Sequence, residues 1–103
     1  MRASNYALDF AEALSQKHGG TYEVLSGRTY DRIIRREASG HGGSVHAFVV
    51  RRTGELVKPA SWRAPQKNSD GTLSVRFNLE DPDDAQRAIS ASDPFGSYLY
   101  CTR

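Results

Sequence analysis

The chain has one cysteine, one tryptophan, four prolines and only three lysines among its 103 residues. A single thiol, Cys101, cannot close an internal disulfide, so a disulfide-stapled scaffold is excluded and a reducing, cytoplasmic setting is expected. No apolar run approaches the ~18 residues that a membrane-spanning helix needs, so no membrane partner is expected. The N-terminal stretch carries Asp9 and Glu12 and no continuous apolar core, and it does not read as a signal peptide. Metal chemistry lacks its ligands: besides Cys101 there are His18, His41 and His46, with no pair at ligand spacing. The glycines around His41 are not followed by the lysine of a phosphate loop. No cofactor is expected.

The charge that is present is unevenly placed. Eleven of the fourteen basic residues are arginine, whose planar fork suits phosphate and carboxylate. Residues 1–27 carry a net −1, residues 28–76 a net +6 and residues 77–103 a net −3. A basic middle between acidic ends is the pattern of a nucleic-acid or acidic-protein partner. The same asymmetry also arises when a positive sheet face packs near a negative helix.

Hydrophobic periodicity divides the chain into short elements. Ser4 or Asn5 caps a helix from Tyr6 to His18, whose Tyr6, Ala7, Phe10, Ala11, Ala13, Leu14 and Lys17 share one broad face, and Gly19-Gly20 stops it. Thr21 to Leu25 and Arg28 to Glu37 read as strands, the second with neither face cleanly apolar. Residues 38–43 form a glycine-rich loop. Val45 to Val50 is apolar on both faces and is expected to be central, with His46 placed beside Phe48 and Val50. A hairpin turn at Thr53-Gly54 leads into a return strand, Leu56 to Lys58. Pro59 and Pro65 then hold a loop away from regular structure. In Thr72 to Leu79, the alternation puts Leu73, Val75, Phe77 and Leu79 on one inward face. Asp81 caps and Pro82 opens a second helix, which Asp93-Pro94 ends; Ser97 to Cys101 reads as a last strand. The expectation is one α+β domain over residues 1–103: a mostly antiparallel sheet of four to five strands with both helices on one face. The other face would carry many of the arginines. An unprotected edge near Arg28 or at the C-terminus makes a homodimer a further expectation.

The candidate site is the stretch from Ser44 to Lys67, SVHAFVVRRTGELVKPASWRAPQK. It gathers cations around one indole. Arg35, Arg36, Arg51, Arg52, Lys58, Arg63 and Lys67 would meet phosphates, and Trp62 would stack on a base or other planar group. The competing reading folds Trp62 under the loop as a core anchor. A second function class is a host-protein antagonist acting through Leu8, Tyr98 and Tyr100. A third is a small RNase, with His41 or His46 beside Arg51 and Glu55.

Several short strings carry a resemblance. Tyr30-Asp31-Arg32-Ile33, Gly42-Gly43-Ser44, His46-Ala47-Phe48-Val49, Thr53-Gly54, Lys58-Pro59-Ala60-Ser61-Trp62 and Ala64-Pro65 with Lys67 resemble a group of small phage-encoded proteins of unassigned function. The likeness spans about residues 28–67. After Lys67 those proteins continue into an Arg-Gly-Asn segment, where this chain has Asn68-Ser69-Asp70-Gly71. The resemblance implies a protein made in an infected bacterium that binds a host component or handles nucleic acid. By topology alone, the order of strands and capped helix from Val45 to Ser92 also resembles plant-type AP2 domains and phage integrase arms, which place a three-stranded sheet in the DNA major groove. The leading expectation is a non-enzymatic binding module for an anionic partner, nucleic acid first.

Overall fold

The computed structural model describes residues 4–36, 43–93 and 97–100. The expected end of a strand at Glu37, most of the loop with His41, Pro94 and Cys101 lie outside the described residues. The first helix, α1, spans Asn5–His18. Ser4 caps it, its Oγ accepting from the Ala7 amide at 3.4 Å. Gly19 ends it at φ 74°, where its amide reaches the Ser15 carbonyl at 2.8 Å.

Five strands follow: β1 (Thr21–Ser26), β2 (Tyr30–Arg36), β3 (Gly43–Val50), β4 (Glu55–Val57) and β5 (Val75–Asn78). They form one fully antiparallel sheet in sequence order, β1-β2-β3-β4-β5. Helix α2 (Pro82–Ala91) comes next, with Asp81 as its cap and Pro82 in its first turn. This is the α+β architecture expected from the sequence. Both helices lie on one face, where Phe10, Ala11 and Leu14 of α1 and Ala88 of α2 share a core with Ile33, Val49, Leu56 and Phe77. Lys17 joins the helices: its ammonium donates to the Ser90 and Ser92 carbonyls at the end of α2, at 3.0 and 3.2 Å.

The opposite face carries a smaller cluster, Phe48, Val50 and Val57, with Tyr30, Val45, Leu73 and Val75 packed against it. Residues 46–50 of β3 are therefore buried on both sides, as expected of a central strand. The hairpin after β3 turns at Gly54, φ 79°. A Cβ there would sit 3.1 Å from the Glu80 amide and 3.2 Å from the Tyr6 ring, so both conformation and space call for glycine.

Three expectations need correction. The ladder between β4 and β5 pairs Leu56 with Phe77 but Val57 with Val75, leaving Arg76 as an extra residue. That bulge reverses the side-chain alternation. Phe77 and Leu79 face the helices, while Leu73 and Val75 join the opposite cluster. A second irregularity lies between β2 and β3, where Ile33 pairs with Ala47 and Ile34 with Val45. His46 is the extra residue, and it turns toward Tyr22 and Tyr98 on the helix side rather than joining Phe48 and Val50. Finally, Ser97–Tyr100 is a 3-10 turn, not a strand. The Asp93 carboxylate accepts from the Tyr98 amide at 2.9 Å, and Tyr98 and Leu99 are both buried, which a strand's alternation would not allow against a single core face.

Candidate nucleic-acid interface

Between β4 and β5 the chain leaves the sheet and folds back as a small hairpin. Pro59 and Pro65 face each other in an isolated bridge. The Gln66 amide donates to the Lys58 carbonyl at 2.8 Å, and the Ala60 amide to the Ala64 carbonyl at 3.0 Å. Trp62 and Arg63 sit at the tip, between Ser61 and Ala64, whose amide and carbonyl meet at 3.2 Å. The prolines restrict the backbone on both limbs, so the tip is held in place before any partner arrives. Trp62 is 43% exposed, which removes the reading of it as a sealed core anchor.

The residue that ties this hairpin to the sheet is Arg32 of β2. Its guanidinium carbon lies 5.8 Å from the centre of the Phe48 ring and 5.6 Å from that of Trp62. Such cation–π contacts contribute about 0.5–2 kcal/mol each. The Nε of Arg32 is buried without a hydrogen-bond partner among the described residues. Arg28, Arg32 and Arg63 border one groove of about 480 Å³, which Leu25, Tyr30 and Phe48 also line. Tyr30 is shared with two further recesses. One, of about 430 Å³, is edged by Arg28, Arg51 and Arg52; the other, of about 470 Å³, by Lys67. Glu55 borders both and is the acid among these cations.

The structure divides the residues singled out from the sequence. Trp62, Arg63, Arg52 and Lys67 are exposed on or beside this face. Lys58 opens the hairpin and is half-buried. Arg36 is on the same side, but its guanidinium pairs with Glu23 across the β1–β2 ladder, which leaves little net charge. Arg35 belongs elsewhere: β2 alternation and its pairing with Tyr22 put it on the helix side. Arg51 pairs with Asp31 at 2.7 Å and donates to Ser26, so its charge serves the fold. Arg28, Tyr30, Arg32 and Phe48 were not in the original set. The alternation along β2 was the available signal, since Arg28, Tyr30 and Arg32 fall on one face.

The alternatives fare differently. Tyr98 is 8% exposed and its hydroxyl meets His46 Nε2 at 2.7 Å, so it offers no contact surface to a host protein. His46, 2% exposed and packed against Tyr22 and Tyr98, is closed off from an external phosphate. Burial, with Asp93 and Tyr22 nearby, pushes the Tyr98 hydroxyl well above the ordinary tyrosine range. The folded protein thus keeps a proton that the unfolded chain loses above about pH 10. This part of the stability is complete below that pH and declines as pH rises through it. Tyr98→Phe is expected to lower stability at neutral pH by about 1–3 kcal/mol, through loss of the His46 bond. It should also flatten the alkaline decline; urea denaturation from neutral to alkaline pH measures both.

Among the described residues no helix is long and apolar enough to cross a membrane. No curated protein and no solved structure matches the chain. A family model does, over residues 2–101, which is nearly the whole length and includes the strands and hairpin of the candidate interface. The chain therefore belongs to the DUF7717 family, a family of unknown function.

Proposed function

We propose that this protein is a non-enzymatic nucleic-acid-binding module whose partner lies across the sheet face opposite the helices. The observation that carries this reading is the exposed indole of Trp62 resting over Arg32, with Arg28 and Arg63 on the same groove. Cations around an accessible aromatic suit a polymer of phosphates and planar bases. Arg28, Arg32 and Arg63 are the phosphate contacts; Arg52 and Lys67 extend the positive surface to either side of Tyr30. Action inside a bacterial host is part of the proposal, and the likeness of residues 28–67 to small phage proteins supports it.

Fluorescence anisotropy with labelled oligonucleotides tests it. With three phosphates neutralised on a single strand, one by Arg28, Arg32 and Arg63 together and one each by Arg52 and Lys67, affinity should fall about 20-fold between 50 and 200 mM salt. Absence of binding at the lower salt would end the reading.

A further inference from the structure

Two recesses meet at the hairpin tip, and neighbouring residues divide them. On one side Trp62 walls a small recess of about 180 Å³ with Val45 and Pro59. On the other side Arg63 borders the larger groove with Arg28 and Arg32. The first recess is bounded by Val45, Pro59, Ala60, Ser61 and the indole, with no charged side chain, and the second carries three cations. Trp62 and Arg63 are consecutive, so each recess takes part of its wall from the hairpin tip.

From this juxtaposition we infer that the hairpin tip is a binding site for one nucleoside-phosphate unit of a single strand, the base against Trp62 and its phosphate against Arg63, Arg32 and Arg28. The inference rests on the nucleic-acid reading above and narrows it to unpaired strands. A base enters a slot beside an indole only when its own faces are free. In a duplex both faces are stacked on neighbours, and extracting one costs a few kcal/mol. A single strand offers the base without that cost. Arg32 touches both halves of the site: it holds the indole from below and lines the phosphate groove. The base half contributes stacking, which tolerates any base; no charged side chain lines the small recess, and its Ser61 hydroxyl already accepts from the Arg63 amide at 3.3 Å. Preference for strandedness, rather than for sequence, is the consequence.

A free mononucleotide has the same chemistry as one step of a strand. The two sources differ in reach, because a strand also meets the cations beyond the tip, at Arg52 and Lys67.

Trp62 is the one tryptophan of the chain, so emission excited beyond the tyrosine absorption band reports this indole alone. The experiment titrates the wild-type protein with an oligothymidylate of about 12 residues, a duplex of equal length, and thymidine monophosphate, reading emission and anisotropy together. The oligothymidylate should quench the emission with the same midpoint as the anisotropy change. It should bind at least tenfold more tightly than the duplex or the mononucleotide. Trp62→Ala should weaken single-strand binding about 5- to 150-fold, and Trp62→Phe, which keeps a ring, should recover most of it. Binding of duplex and single strand with equal affinity, or binding without quenching, overturns the inference while leaving the broader reading in place. A mononucleotide midpoint equal to that of the strand overturns it in favour of a free-nucleotide site. If no probe binds at low salt, both readings fail together.

Discussion

Replacing Arg51 by alanine is expected to lower the stability of the fold by about 3–5 kcal/mol, the cost of leaving a buried carboxylate without its counter-charge. Asp31 is fully buried on the helix side of β2. One of its oxygens accepts from Arg51 at 2.7 Å, and the other from the Ser4 amide at 2.8 Å. Arg51 also donates to Ser26 at the end of β1. This small network therefore joins the start of α1, the end of β1, the start of β2 and the turn after β3. For a domain of this size the loss corresponds to a fall in melting temperature of about 12–40 °C. Removing both charges, as Asp31→Asn with Arg51→Met, should restore a large part of that loss, because the lone buried charge is then gone. Thermal and urea denaturation of the two variants measure the difference. Equal stability of wild type and Arg51→Ala would show that Arg51 is a surface cation after all.

The second large effect falls on binding instead of folding. Arg32→Ala is expected to weaken single-strand affinity about 10- to 150-fold, the range for losing a charge-assisted contact. The same change also frees the indole that Arg32 underlies. Its cost to the fold should be about 1–4 kcal/mol, because what is lost there is two cation–π contacts. Arg32 Nε has no hydrogen-bond partner to lose among the described residues. Arg32→Lys keeps the charge without the plane that stacks between Phe48 and Trp62, so it should fall between wild type and alanine in affinity. Arg51 thus acts through the stability of the fold, whereas Arg32 is distinguished by its additional effect on affinity. Denaturation and anisotropy on the same two variants separate them.

Much of the architecture was legible because local signals agreed. Ser4 before an apolar stripe, Asp81-Pro82 before another, and Gly54 after the paired arginines each mark an element boundary for a steric or hydrogen-bonding reason, and each boundary is where it was expected. Two of the three errors share a cause: they sit where one residue is inserted into a ladder. Neither the His46 nor the Arg76 bulge has a signature in composition, yet each moves neighbouring side chains to the other face. Leu73 and Val75 were read as core beside Phe77 for that reason. The 3-10 turn at Ser97–Tyr100 depends on Asp93 reaching the Tyr98 amide, which a pattern of alternating residues does not show.

The site was legible to a lesser degree. Trp62 and Arg63 could be singled out because prolines bracket them and no apolar period claims them. Arg51 could not be told from Arg52, since its commitment depends on Asp31, twenty positions earlier in the chain. Arg35 and Arg32 differ only by the parity of a strand whose faces both carry charge. Pairing fixes that parity: Tyr22 lies opposite Arg35, and Phe48 lies opposite Arg32.

The most direct measurement is a map of backbone-amide and indole chemical shifts as an oligothymidylate is added to the wild-type protein. The account predicts that the largest changes fall on the Trp62 indole and Arg63, and on Leu25 to Arg32 and Phe48 beneath them. Changes concentrated on α1 and α2, with the indole resonance unmoved, would contradict it.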